Sequence, residues 1–226
     1  MLTGWRTPPS TLPNVAVALP SPSDAGVAPA AGTPALPDGF DQKIDQGNNC
    51  RFYHAGEVNG HYSNFWQGQP VVIDGHKYRT VEHYFQAQKY AAPDGASPDD
   101  KETLEHIQNE IMAAETPGKT KNLANNKDNR PFAVPWDIWK TARIKVMYNG
   151  IYAKFSQDAN LKDMLLATED AQLIETMPIN GKDTFWGVKD GVGTNMLGRI
   201  LIRVRKDLRE NRALDPNPNF KTEKLD

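Results

Sequence analysis

The sequence is poor in the features that identify function quickly. Among 226 residues there is a single cysteine, Cys50, which excludes an internal disulfide and a cysteine-based zinc site. We read Cys50 as a buried small apolar residue, since no neighbour in sequence would activate it. The five histidines, at 54, 61, 76, 83 and 106, lack metal-ligand spacing, so no metal is assigned. No apolar run is long enough to span a bilayer, and no secretion signal is evident, so we expect a cytoplasmic or nuclear protein away from membranes. A net charge of −2 predicts little non-specific attraction to polyphosphate, so any nucleic-acid contact must be local. Phosphate-binding Gly-Lys loops, dinucleotide-binding glycine patterns, Gly-x-Ser-x-Gly and His-Glu-x-x-His are all missing.

Residues 1–43 are set apart by composition. Eight of the 17 prolines lie there among Ala, Ser, Thr and Gly, and Trp5 and Phe40 are the only aromatics. Such a segment buries too little apolar surface to offset the entropy of ordering it, so it reads as a disordered Pro/Ala-rich tail. Residues 44–212 have the length and patterning of one compact domain, and 213–226 read as a loose C-terminal end. Short strands are expected at Arg51–Tyr53 and Leu173–Glu175. Asp74-Gly75 between two β-type runs predicts a hairpin. Helices are expected from Val81 to about Ala92, Asp99 to Ala114, Asp137 to Ser156 and Leu161 to Leu166. A last helix follows Asn195, with Leu197, Ile200, Leu201, Val204 and Leu208 in one stripe. Residues 116–135 read as a long polar connection, and the arginines of the last helix as a solvated face. The fold class is therefore α+β: a helix-rich single domain with a few short strands.

The stretch from Thr80 to Tyr90 has the strongest local pattern. Thr80 suits an N-cap, and Val81, Tyr84 and Phe85 share a core-facing side. Glu82 and Lys89 lie on an adjacent ridge, and the helix dipole favours an ionised Glu82 unless it is buried. Elsewhere, Asn64 is followed by Phe65 and Trp66, and Asp183 precedes Trp186-Gly187 by three residues. Gly191 and Gly193 lead into Asn195 at a helix start, which suits an anion. Trp139 and Arg143 share a helical face and could stack on a ring and pair with a phosphate or carboxylate.

Six of these segments, in order, resemble the NADAR (YbiA-like) superfamily. They are His61-Tyr62-Ser63-Asn64-Phe65, Ile73-Asp74-Gly75-His76-Lys77, Thr80 to Lys89, and Trp139 to Ala153-Lys154-Phe155. Leu165-Leu166-Ala167-Thr168 follows, and then Trp186-Gly187 with Gly193 to Gly198. The resemblance covers roughly residues 51–210. It implies an N-glycosidase that needs no cofactor and cleaves a ribose C1′–N bond. Glu82, Trp139 and Asp183 match the family's catalytic residues. It also implies substrate contacts from Asn64, Phe65, His83, Lys89, Lys121, Arg143, Trp186, Gly187, Asn195 and Gly198. Substrates in the family are ADP-ribosylated guanine in nucleic acid, or phosphorylated ribosylamino-pyrimidine intermediates of riboflavin synthesis. We expect the first, acted on by a monomer, with a non-catalytic ADP-ribose reader as a third reading. Departures fall at the inserted Val58-Asn59-Gly60 and near Ala124-Asn125, where the family's Gly-Arg is replaced and Lys119 and Lys121 are the nearby bases. Trp136 and Trp139 compete for one position: spacing to Ala153-Lys154-Phe155 favours Trp139, and a three-residue shift would select Trp136.

Overall fold

The computed structural model describes residues 42–220 apart from 129, 179, 180 and 182. Most of the proposed N-terminal tail lies outside the described residues, as does the end of the C-terminal segment. In chain order the elements are β1 (Asn49–Phe52), β2 (Val71–Ile73), β3 (His76–Tyr78), α1 (Val81–Ala87), α2 (Pro98–Ala113), α3 (Pro117–Ala124), α4 (Trp136–Gln157), α5 (Ala159–Ala167), β4 (Gln172–Glu175) and α6 (Met196–Arg209). The α+β expectation holds. β1 pairs in parallel with β4, joining Cys50 to Leu173 and Phe52 to Glu175 in register. β2 and β3 form the expected hairpin, and Asp74 and Gly75 both take the positive φ its tight turn requires.

Helix α1 lies in the middle, packed against α2, α3 and α4, and all seven of its residues are buried. Val81, Tyr84 and Phe85 face the core as expected, and Glu82, His83 and Gln86 are buried with them. The cap itself is as expected, with Thr80 Oγ1 accepting from the His83 backbone N–H. The helix is shorter than its pattern and tightens into a 3₁₀ turn at Gln88–Tyr90 ahead of Pro93. The amide of Gln108, from α2, donates to the Ala87 carbonyl.

Helix α3 departs from the long polar connection expected there. Thr116 accepts from the Lys119 backbone N–H, and Pro117 occupies the first turn, a strong start signal. The element is only eight residues long and mostly polar, so its periodicity is faint. In α6 the five stripe residues are buried as expected. Its arginines, however, are not one solvated face. Arg205 is buried and donates to Thr168 Oγ1 (2.7 Å) and the Ala171 carbonyl (2.9 Å). Arg203 pairs with Asp207 and with Asp215 of the C-terminal segment. In the C-terminal segment, Phe220 packs on Tyr148, and Leu214 and Phe220 are partly buried against the core.

Candidate active site

A cavity of about 670 Å³ opens where α1, α3, α4, β4 and the Asp183–Trp186 loop meet. The structure brings Asn64, Phe65, Glu82, Lys89, Lys121, Trp139, Arg143, Asp183 and Trp186 to its wall. These residues span 122 positions in sequence, and packing around α1 gathers them.

Glu82 is only 3% exposed, and its carboxyl is held by two amides. Asn64 Nδ2 donates to Oε2 at 2.5 Å, and Gln86 Nε2 donates to Oε1 at 2.7 Å. The Asn64 carbonyl in turn accepts from the Glu82 backbone N–H, so one residue grips both main chain and side chain. Helix position and burial act on Glu82 in opposite directions. The helix start alone would keep Glu82 ionised, but burial pushes its carboxyl above the usual carboxylate range. The Gln86 amide, Lys121, Lys89 and the Asn64 amide pull the other way. A carboxyl whose two oxygens both accept N–H bonds has the hydrogen-bonding pattern of the anion.

The loop carrying Asn64 is fixed by Lys154. This buried amine donates to the His61 carbonyl (2.5 Å) and the Ser63 carbonyl (2.9 Å). Burial pushes Lys154 down to about 7, with Asp158 opposing. The inserted Val58-Asn59-Gly60 is absorbed by a turn with Asn59 left-handed, whose amide donates to the Lys43 and Arg51 carbonyls. At the other departure, Asn125 Oδ1 accepts from Lys89 Nζ (3.2 Å) at the cavity wall.

One side of the cavity is aromatic. The Trp139 ring lies 5.2 Å from that of Phe85, which also meets Trp186 edge-on at 5.5 Å. The Arg143 guanidinium sits over Phe185 at 3.6 Å and over Trp136 at 5.3 Å, a cation held by aromatic faces. Asp183 is exposed, with Oδ1 accepting from the backbone N–H groups of Phe185 and Trp186. Both candidate tryptophans line the cavity, but differently: Trp139 is 5% exposed, and Trp136 is 63% exposed. Trp139→Ala is expected to cost roughly 3–5 kcal/mol of stability through the hole it leaves. Trp136→Ala should leave the melting temperature unchanged and raise KM several-fold. Thermal melts paired with steady-state kinetics check both.

Four expected contacts are not at the cavity wall. The buried His83 ring spans the Thr80 hydroxyl (2.8 Å at Nδ1) and the Ala114 carbonyl (3.0 Å at Nε2), tying the cap of α1 to the end of α2. Asn195 is fully buried, accepting from the Glu175 N–H (3.0 Å) and donating to the Leu173 carbonyl (2.8 Å). Its left-handed backbone and its amide are committed to β4, not to an anion. Gly198 packs directly on the Leu173 carbonyl, and Gly187 on Met177 and the Glu175 carbonyl. All four shape the site through packing.

The residues that sequence reasoning missed are Glu175, Gln86 and Lys154. Glu175 lines the cavity at the end of β4, 7% exposed, with Oε2 buried and without a hydrogen-bond partner among the described residues. Its signal was an acid closing the short apolar run Leu173-Ile174. Gln86 stands one turn after Glu82, and Lys154 interrupts the buried face of α4.

Residues 51–209 match the family model described as the NADAR domain. The chain is 32% identical over 170 residues to N-glycosidase YbiA of Escherichia coli, covering 74% of this chain and 92% of that one. It is 33% identical over 167 residues to the chloroplastic riboflavin biosynthesis protein PYRR of Zea mays, covering 71% of this chain and a quarter (25%) of the maize protein. The NMR structure of E. coli YbiA superposes with a TM-score of 0.58 at 28% identity, covering 75% of this chain and 90% of that one.

Proposed function

The chain belongs to the NADAR domain family, and from that premise we propose that it is an N-glycosidase that hydrolyses ADP-ribosyl–guanine linkages in nucleic acid. The observation carrying the reading is the Glu82 carboxyl, buried at the cavity wall and gripped by Asn64 and Gln86. Cleavage of a C1′–N bond passes through a sugar cation, which a fixed anion beside C1′ stabilises. The same carboxylate takes the proton of the attacking water. Because two amides hold it, the carboxylate needs no reorganisation when the cation forms.

The rest of the wall supports the larger substrate. Lys89, Lys121 and Arg143 supply cations suited to a diphosphate. Trp136, Phe85 and Trp186 offer aromatic surface for the two purines of an ADP-ribosyl-guanine, and the intermediate of riboflavin synthesis has one base ring. Asp183, an exposed carboxylate in the cavity lining, suits acceptance from ribose hydroxyls. A cavity of about 670 Å³ lies within the range for small-ligand sites. The second reading, a phosphorylated ribosylamino-pyrimidine, is favoured by the name of the maize relative.

Purified protein is to be given ADP-ribosylated-guanine DNA and the riboflavin intermediate in parallel. Release of ADP-ribose from the DNA is expected. Turnover of the second substrate alone selects the riboflavin reading, and saturable binding of ADP-ribose without product selects a non-catalytic reader.

A further inference from the structure

A carboxylate at the sugar does half of the chemistry, because an amine-type leaving nitrogen must also gain a proton. We infer that Glu175 is the general acid that protonates the departing nitrogen; this role rests on the N-glycosidase reading above.

Three observations place Glu175 there. It faces the same cavity as Glu82 from a different element, β4 rather than α1. Its oxygens are treated unlike those of Glu82: both Glu82 oxygens accept amide N–H bonds, whereas Glu175 Oε2 is buried with no donor among the described residues. An unpaired buried polar atom in a substrate cavity is unusual, and a ligand group is the natural partner. The main chain beneath it is also rigid. The Glu175 N–H donates to Asn195 Oδ1, and its carbonyl accepts from the Val188 N–H at 2.7 Å. Phe52 of β1 stands beside it in register.

The titratable groups around Glu175 come from four segments: Glu82 from α1, Lys121 from α3, Asp183 from the loop after β4, and the neutral phenol Tyr53 just after β1. Burial dominates, the two acids add to it, Lys121 opposes, and the carboxyl is pushed up to about 8. Two carboxyls in one cavity with unequal donors divide into one anion and one acid. Glu82 has the amides, so Glu175 keeps the proton at neutral pH.

The step balances. The C1′–N bond breaks, and its electron pair stays on nitrogen, which takes the Glu175 proton. The water oxygen bonds to C1′ and gives its proton to Glu82. Solvent then returns one proton from Glu82 to Glu175. One water is consumed, and the products are the free sugar and the N–H base.

The test varies the need for a proton. Wild type and Glu175→Gln are assayed on the N-linked substrate that wild type cleaves and on para-nitrophenyl riboside phosphate, whose phenolate leaves unprotonated. The variant should lose about 10²–10⁴-fold in kcat on the N-linked substrate, with KM little changed, and stay within about tenfold on the nitrophenyl probe. In wild type, kcat/KM for the N-linked substrate should fall above a pH of about 8, and the nitrophenyl probe should show no such limb. The wild-type comparison needs no variant to fold. Equal losses on both probes, or an alkaline limb shared by both, would overturn the acid role while leaving the glycosidase intact. Wild type cleaving no N-linked substrate overturns the glycosidase reading and this inference together.

Discussion

Glu82→Gln is expected to reduce turnover by about 10³-fold or more while leaving ligand affinity within a few-fold of wild type. The side chain keeps its size, so the cavity keeps its shape. What disappears is the anion that faces the sugar cation and receives the proton of water. The new amide presents an N–H group to one of the two amide donors that grip the native carboxylate. Gln86 can turn over to meet it, because its Oε1 is buried and has no hydrogen-bond partner among the described residues. The fold should therefore hold, and removing a buried charge should leave the melting temperature equal or higher. Single-turnover kinetics and calorimetric titration with ADP-ribose separate the two quantities. A variant retaining more than about a tenth of wild-type turnover would remove Glu82 from the chemistry.

Gly198→Ala is expected to be the most damaging small substitution in the domain. A Cβ at this position would lie 1.9 Å from the Leu173 carbonyl oxygen and 2.5–2.7 Å from the Asn195 amide atoms. Neither neighbour can yield cheaply: the carbonyl belongs to β4, and the amide holds β4 at Leu173 and Glu175. Helix α6 would have to move off the strand, breaking those two hydrogen bonds and loosening the Leu197, Ile200 and Leu201 packing. The combined cost is about 4 kcal/mol, or a drop in melting temperature of about 10 °C. Activity should fall as well, since Glu175 rides on the displaced strand. A melting temperature within about 2 °C of wild type would show that the helix–strand contact is softer than its geometry.

Much of the fold was legible because local chemistry specified it. Asp74-Gly75 suits a turn that needs positive φ, and Thr80 suits a position whose hydroxyl must accept from a backbone N–H. The α6 stripe repeats at helical spacing because one side of that helix faces the core. Helix α3 was hidden because eight mostly polar residues carry almost no periodicity, even with Thr116-Pro117 at their start. The ends of α1 depended on Pro93 and on Gln108, and the latter contact spans 21 positions that no local pattern reports.

The site divides in a similar way. By itself the sequence determined the family, through its ordered motifs, and pointed to an acid at a helix start with aromatics and cations at helical spacing. Only the tertiary structure decided where each of them stands and what it touches. Burial, a property of the assembled core, moved the Glu82 carboxyl in the direction opposite to its helix position. Contacts across 18 residues gave that carboxyl its Asn64 donor, and contacts across 20 residues took Asn195 away from any ligand. Glu175 had no motif at all in the sequence reading, and the meeting of β4 with α1 and α3 brought it into the cavity. The reason is that desolvation and hydrogen bonding depend on distance in space, which sequence spacing encodes only within a helix turn or a tight hairpin.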